Sequence, residues 1–355
     1  MTILIRYTIV IVPLLLIISL LVAVEPKAGQ TAPRGYVCTK ALAPPKIGGR
    51  LDDEAWKNAP WSEDFVDIEG SKQPKPRYRT RMKMIWDDKA LYIAAEIEEP
   101  HIWGTITSHD AVIFQDPDFE VFIDPDGDNH MYGELELNAK NTTWDLLLTK
   151  PYKDGGKAVN GWEIIGLKTA VHIDGTLNDS RDVDKSWTVE IAWPWEGLRE
   201  ISNATTPPGD GDTWRINFSR VEWDIAIEDG NYVKVKAKPE HNWVWSPQGV
   251  IDMHRPERWG YVQFCTKTSG KVDYIPDVSQ GVKDRLHEVY YAQREYFKTH
   301  GKYTKNILDL GIASDEFGTP EIELSRNRFE ATLKASKKAG SKLWGITHDS
   351  QLWNK

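Results

Sequence analysis

The sequence predicts a mainly β protein: an antiparallel β-sandwich followed by a small α+β domain, one helix on a short antiparallel meander. Three observations lead there. From Tyr36 to Thr266, short runs alternate apolar and polar residues with period two and are separated by clusters of Gly, Pro, Asp and Asn. Fourteen of the sixteen tryptophans fall inside that stretch, between Trp56 and Trp259. Beyond a polar segment at 267–280 the period becomes helical and then returns to short strands.

At the N-terminus, Arg6 precedes an apolar run from Tyr7 to Val24, and polar sequence begins at Glu25. Residues 1–30 read as a secretory signal peptide or, since no small-residue cleavage site follows, as an uncleaved membrane anchor. Either places the remainder outside the cytoplasm: secreted, periplasmic or held at the cell envelope.

The region 36–266 reads as the sandwich. Arg79 to Trp86 and Ala90 to Glu98 form a hairpin across Asp87-Asp88-Lys89. Further strands are expected at Asp118 to Ile123, Tyr132 to Asn138, Thr143 to Leu148, Trp162 to His172, Ser186 to Trp193, Thr213 to Val221 and Trp259 to Phe264. Residues two apart on a strand point the same way, which assigns most tryptophans to apolar rows. Trp187, Val189, Ile191 and Trp193 make one such row, Trp214, Ile216 and Phe218 another, and Trp144, Leu146 and Leu148 a third. Trp103, Trp223, Trp243 and Trp245 lie nearer to loops and stay eligible as flat faces on which a ligand ring could stack.

After the linker at 267–280, Leu286, Val289, Tyr290, Gln293, Tyr296 and Phe297 recur at helical spacing over 283–300, and Gly301 stands where a C-cap belongs. Glu321 to Leu324, Arg328 to Lys334, Ser341 to Thr347 and Gln351 to Trp353 then read as the meander, with a turn at Lys338-Ala339-Gly340. Residues 281–355 thus form a second domain.

Composition narrows the function classes. The net charge of −9 and the lack of a basic patch with interleaved aromatics argue against nucleic acid. No nucleophile elbow, zinc-protease motif or phosphate loop occurs, and the nine histidines form no ligand-spaced cluster, so no catalytic residue is assigned. The adjacent pairs His130-Met131 and Met253-His254 point to opposite faces of a strand and do not suit haem. Cys38 and Cys265 bracket the sandwich and are a disulfide candidate in an oxidising compartment; the alternative is two buried thiols. In Asp124-Pro125-Asp126-Gly127-Asp128, carboxylates at alternate positions can converge on a hard cation such as calcium, held by Asp124, Asp126 and Asp128. The alternative is an acidic turn in which the Asp side chains cap their own backbone.

Several motifs together resemble the family 9 carbohydrate-binding modules. Ile47-Gly48-Gly49-Arg50-Leu51-Asp52-Asp53-Glu54-Ala55-Trp56 opens the pattern, followed by Ile85-Trp86-Asp87 and Leu91-Tyr92-Ile93-Ala94. Asp118-Phe119-Glu120-Val121-Phe122-Ile123-Asp124, the run from Trp187 to Trp195, Trp214-Arg215-Ile216-Asn217-Phe218 and Trp259-Gly260-Tyr261-Val262 follow in order. The resemblance implies a β-sandwich that binds carbohydrate, a link to polysaccharide breakdown, and bound calcium. It also implies two aromatic residues that sandwich a terminal sugar. Those positions fall on Phe114 and Met253, and a family arginine aligns with Glu136. The ligand pattern is thus less well kept than the fold. Asn138 and Arg255 are the polar candidates beside these, and Trp103, Trp243 or Trp245 could supply a displaced platform.

More weakly, Tyr290 to Phe297, His300-Gly301-Lys302-Tyr303 and Leu308-Asp309-Leu310-Gly311 resemble the helix and loop of type IV pilin-like domains, without the hydrophobic helix that precedes them there. The expectation is a non-catalytic, exported carbohydrate-binding protein. The alternatives are a scaffold protein that has lost sugar binding, its C-terminal module docking a partner, and an accessory part of a glycoside hydrolase system.

Overall fold

Period-two alternation becomes strands close to where the sequence places them. A computed structural model describes residues 32–268, 270, 272–335 and 341–355. The N-terminal apolar run and the turn Lys338-Ala339-Gly340 lie outside the described residues, among which no helix is long and apolar enough to cross a membrane. In chain order the strands are β1 (Gly35–Lys40), β2 (Val66–Asp67), β3 (Thr80–Trp86), β4 (Ala90–Glu98), β5 (Asp118–Asp124), β6 (Tyr132–Asn138), β7 (Thr143–Leu148) and β8 (Ala158–Val159). There follow β9 (Lys168–Asp174), β10 (Ser186–Pro194), a single helical turn α1 (Trp195–Leu198), β11 (Thr213–Glu222), β12 (Ile225–Glu228), β13 (Asn231–Lys234), β14 (His241–Val244) and β15 (Gly260–Cys265).

Hydrogen bonding links them in the order β8-β7-β6-β5-β11-β15-β1-β3-β4-β10-β9, with β14 also on β11 and β2 on β14. Neighbours are antiparallel except at β1, which runs parallel to both β15 and β3. The sheet curls so that its two halves share one core: Val121, Ile123 and Leu135 from one side meet Leu91, Ile93, Val189 and Ile191 from the other. Trp187, Trp193 and Trp214 are buried in that core, as the apolar rows require.

Three local differences from the sequence reading have physical reasons. The strand expected from Trp162 begins only at Lys168, because the Ile164 N–H donates to the Asp145 carboxylate and Leu167 N–H to the Ile164 carbonyl; Trp162 and Ile164 enter the core from turns instead. The hairpin β12–β13 was not anticipated, although Asp229-Gly230, with φ of 50° and 80°, carries the Asp-Gly signature of a tight two-residue turn. The cysteine pair is not bonded: Cys38 and Cys265 are free. Cys38 pairs across the ladder with Phe264 and faces the core beside it, while Cys265, one residue on, points to the opposite face.

The C-terminal module consists of α2 (Gln280–His300) and the meander β16 (Glu321–Leu324), β17 (Phe329–Lys334), β18 (Leu343–Thr347) and β19 (Leu352–Asn354). Val282, Leu286, Val289 and Tyr290 form one stripe of α2 and pack on Ile322, Phe329, Ala331 and Ile346. Gly301 closes the helix at φ 66°, a left-handed conformation that costs glycine nothing.

Polar contacts, largely buried, join this module to the sandwich. Asp154, in the loop after β7, accepts hydrogen bonds from Tyr290 Oη, from Arg294 Nη1 at 2.8 Å and from Ser350 Oγ at 2.7 Å. Glu257 accepts from Tyr291 Oη and pairs with Lys153 at 3.4 Å. Although burial opposes ionisation, the charge of Lys153 and its neighbours holds Glu257 well below the usual carboxylate range. The Leu352 N–H donates to the Asp128 carbonyl at 3.0 Å. Asp154→Ala leaves three donors without their acceptor and is expected to cost about 3 kcal/mol. Urea unfolding should show this as a lower midpoint; an unchanged midpoint would mean that the contact contributes nothing.

Candidate functional site

Strands β5 and β6 have two unlike faces. Phe119, Val121, Ile123, Leu135 and Leu137 point into the shared core, so the alternate residues Asp118, Glu120, Phe122, Glu134 and Glu136 must emerge on the other side. The register sets Glu120 directly opposite Glu136, and Glu136 opposite Trp144 of β7. A cavity of about 210 Å³ lies over this face. Four carboxylates line it, Glu120, Glu134, Glu136 and Glu240, together with Asn242 and His254. Its apolar wall is made by Phe114, Phe122, Trp144, Leu146 and Met253, with Tyr152 and Val221 completing the lining. A second hollow, of about 450 Å³, lies on the C-terminal meander; its wall includes His348 and the buried Phe329.

Neighbouring hydrogen bonds fix the wall. The Phe114 N–H donates to Glu136 Oε2 at 3.0 Å, and Trp223 Nε1 donates to the Phe114 carbonyl at 3.1 Å, which sets the short turn carrying the ring. Trp259 Nε1 donates to the Met253 carbonyl at 2.8 Å, and Arg215 holds the Trp259 and Glu257 carbonyls at 2.6 and 3.1 Å. His254 packs edge-on against Tyr152 with centroids 4.4 Å apart, and its Nδ1 lies 3.0 Å from Tyr132 Oη. Burial lowers its pKa to about 4, so the ring is neutral near pH 7.

The same burial acts on the carboxylates in the opposite sense. Burial, with Glu240 nearby, raises Glu120 to about 7. Burial and the charge of Glu120 push Asp118 and Glu134 well up, and burial followed by Glu120, Asp118 and Glu134 does the same for Glu136. Asp118, Glu120 and Glu136 each bring an oxygen within 4.8 Å of the others. Asp118 Oδ2 and Glu134 Oε2 are buried and accept no hydrogen bond from the described residues.

Of the residues singled out from the sequence, Phe114, Met253 and Glu136 meet in this cavity. The others do not. Trp103, Trp243 and Trp245 are 6%, 4% and 2% exposed and offer no open face. Trp103 packs with Val221 and Trp223, and the other two belong to the shared core, where Trp245 meets Tyr36 and Phe218. Proximity to a loop in sequence was a poor guide, because Trp243 lies in β14 paired with β11 and the Trp245 N–H extends that pairing to the Phe218 carbonyl. Asn138 is fully buried and spends its amide on the Ile106 carbonyl and Asp116, its oxygen on Lys140 and Thr142 N–H groups. Arg255 turns toward the C-terminal module, pairing with Asp252 at 3.1 Å and meeting Tyr291 Oη at 3.3 Å. Trp144 was assigned to a core row; it does pack beside Phe122 and Leu146, but it is only partly buried and walls the cavity. Glu120 and Glu134 were visible as alternating acids in strands, whereas Tyr152, Glu240, Asn242 and His254 gave no local signal.

The acidic turn caps its own backbone and also brings its carboxylates together. Asp124 caps the N–H groups of Gly127 and Asn129 at 2.9 Å each, and Asp128 caps that of His130 at 2.7 Å. Asp124, Asp126 and Asp128 also bring one oxygen each within 4.8 Å of one another. Burial, then the charges of Asp126 and Asp128, pushes Asp124 well up, and among the described residues no Lys or Arg forms an ion pair with any of the three. Carboxylates brought together without a counter-cation suit a hard divalent ion.

The fold is that of a recognisable family. The family described as carbohydrate family 9 binding domain-like matches residues 47–262. The chain belongs to this family. Among solved structures, a carbohydrate-binding module family 9 from Caldicellulosiruptor kristjanssonii in complex with cellotriose is 16% identical, with TM-score 0.44, covering 68% of this chain and 100% of that one. The glucose complex from the same organism is 16% identical, with TM-score 0.43, covering 67% of this chain and 100% of that one. A putative carbohydrate-binding protein from Bacteroides uniformis is 17% identical, with TM-score 0.47, covering 66% and 100%. No curated protein matches. The family match ends at Val262, ahead of the C-terminal module.

Carboxylates with raised values favour the fold when protonated. Their contribution is complete in acid, below their unfolded values, and is lost as pH rises through the folded values, about 7 for Glu120. In chelator, the melting temperature should therefore be higher near about pH 5 than near about pH 8. Glu120→Gln and Glu134→Gln should flatten that dependence; an equally steep profile in both variants would show that the cavity is not its source.

Proposed function

We propose that this is an exported, non-catalytic carbohydrate-binding protein whose sugar site is the cavity over β5, β6 and β7. The observation that carries the reading is the convergence of Phe114, Met253 and Glu136, three positions separated by up to 139 residues, on one hollow in a chain of this family. Accessible rings at Phe114, Trp144 and Tyr152 offer flat faces for the C–H side of a pyranose, and the carboxylates and Asn242 offer partners for its hydroxyls. At about 210 Å³ the hollow is smaller than the roughly 300–1,000 Å³ of a drug-sized pocket, which suits one ring at the end of a chain.

Calcium has a structural place in this reading. Asp124, Asp126 and Asp128 would hold it, and bound there it would offset the mutual repulsion of the three carboxylates and clamp the turn between β5 and β6. Millimolar calcium is expected to raise the melting temperature of the chelator-treated protein by several degrees. Asp126→Asn should remove that increment. A calcium response that Asp126→Asn leaves intact would put the ion elsewhere.

Sugar binding is tested by isothermal titration of the intact chain against a panel of oligosaccharides. Trp144→Ala and Phe114→Ala should each weaken binding by about 1 kcal/mol, roughly fivefold. Trp245→Ala should cost about 3–5 kcal/mol of stability without changing the affinity of the folded fraction. An intact, cooperatively melting chain that gives no heat with any glycan would end this reading and leave the scaffold alternative.

A further inference from the structure

The ionisable groups lining the cavity are acids, with His254 the one exception. Glu120, Glu134, Glu136 and Glu240 line it, and neither Lys nor Arg does. The cations closest by their electrostatic influence are already engaged. Lys153, which acts on His254, pairs with Glu257 at 3.4 Å. Lys234, which feels Glu240, donates to Gln115 at 3.1 Å and lies 3.5 Å from the centre of the Trp223 ring. His254 is neutral. Burial and mutual repulsion favour the protonated form of the Glu120, Glu134 and Glu136 carboxyls; a bound cation would favour their ionised form, which a ligand carrying only hydroxyls does not.

An independent feature points to what is missing. Glu134 lines the hollow, is 4% exposed, and its Oε2 accepts no hydrogen bond from any described residue. Buried acceptors are normally satisfied, so an unpartnered carboxylate oxygen in a cavity wall marks the place of a donor supplied from outside. The rest of the wall states what else that donor must carry. Phe114, Phe122, Trp144, Leu146 and Met253 form an apolar surface beside the carboxylates. A bare divalent ion would want six to eight oxygens around it and has no use for such a wall. A pyranose bearing an ammonium group uses both: its C–H face lies on the rings, and its N–H groups reach the carboxylates.

We propose that the cavity selects an amino sugar, a 2-amino-2-deoxyhexose unit with a free, protonated amine, whose ammonium sits among Glu120, Glu134 and Glu136. This rests on the carbohydrate-binding reading above and specifies its ligand class. Charge-assisted hydrogen bonds to a desolvated carboxylate are the strong ones, and aromatic rings nearby add cation–π attraction. N-acetylation removes both the charge and two of the donors.

The test is isothermal titration of the intact chain, at low ionic strength and in chelator, with three series of matched length: glucosamine oligomers, their N-acetylated counterparts and cello-oligosaccharides. Glucosamine oligomers should bind about tenfold tighter or more than either neutral series. Raising the salt should erode that preference, and Glu134→Gln should reduce it to about twofold or less. The comparison of ligands needs only the unmodified protein, so a variant that fails to fold does not leave the question open. Equal or tighter binding of a neutral series would overturn the amine preference and keep carbohydrate binding. Failure of every series would overturn both. In a separate titration without chelator, calcium binding that Glu134→Gln abolishes, with no preference among sugars, would make the hollow a metal site and overturn the proposal.

Discussion

The two unlike faces of β5 and β6 are the constraint on which the rest depends. A strand cannot turn a residue to one side without turning its neighbours to the other. Phe119, Val121, Ile123, Leu135 and Leu137 anchor the inner face in the shared core, and the burial of five large apolar side chains fixes the register firmly. Asp118, Glu120, Asp124, Glu134 and Glu136 have then no freedom to disperse. Their repulsion is sustained by apolar packing on the far side of the same backbone.

That arrangement explains how a buried acidic patch persists in a folded protein. Carboxylates out of water stay neutral, find donors, or find a cation. Glu136 takes the Phe114 N–H, and Asp124 takes two backbone N–H groups of its turn. Among the described residues, Glu134 Oε2 and Asp118 Oδ2 take none, two of the buried polar atoms that the molecule's own groups leave unpaired. A recognition site is the usual home of such unspent polar capacity, because groups already paired within the protein gain little by pairing with a ligand.

Much of the fold could be read from the sequence and little of the site. Strand edges at Ala90–Glu98, Tyr132–Asn138 and Thr143–Leu148 agree residue for residue with the alternation, and the helix ends at Gly301 as its capping chemistry requires. Strand order was out of reach: nothing local says that β1 runs parallel between β15 and β3, and that pairing turns the two thiols to opposite faces. The cavity is non-local in the same way. Glu120 and Glu136 are ordinary acids in their own strands, and only the β5–β6 register makes them neighbours. Trp144 shows the ambiguity most plainly, since a side chain can belong to an apolar row and still keep one face open. Trp245 shows the converse: a residue next to Pro247-Gln248-Gly249 reads as loop, yet its ring lies against the backbone of Gly260.

Asp154 stands two residues from Tyr152, and Glu257 three from His254; each acid is gripped by α2, and Tyr152 and His254 are walls of the cavity. The C-terminal module therefore serves the sandwich as a buttress, setting the spacing of two loops it does not itself belong to. Removing the module at the family boundary would expose Lys153, Asp154 and Glu257, so the two parts hold each other in place.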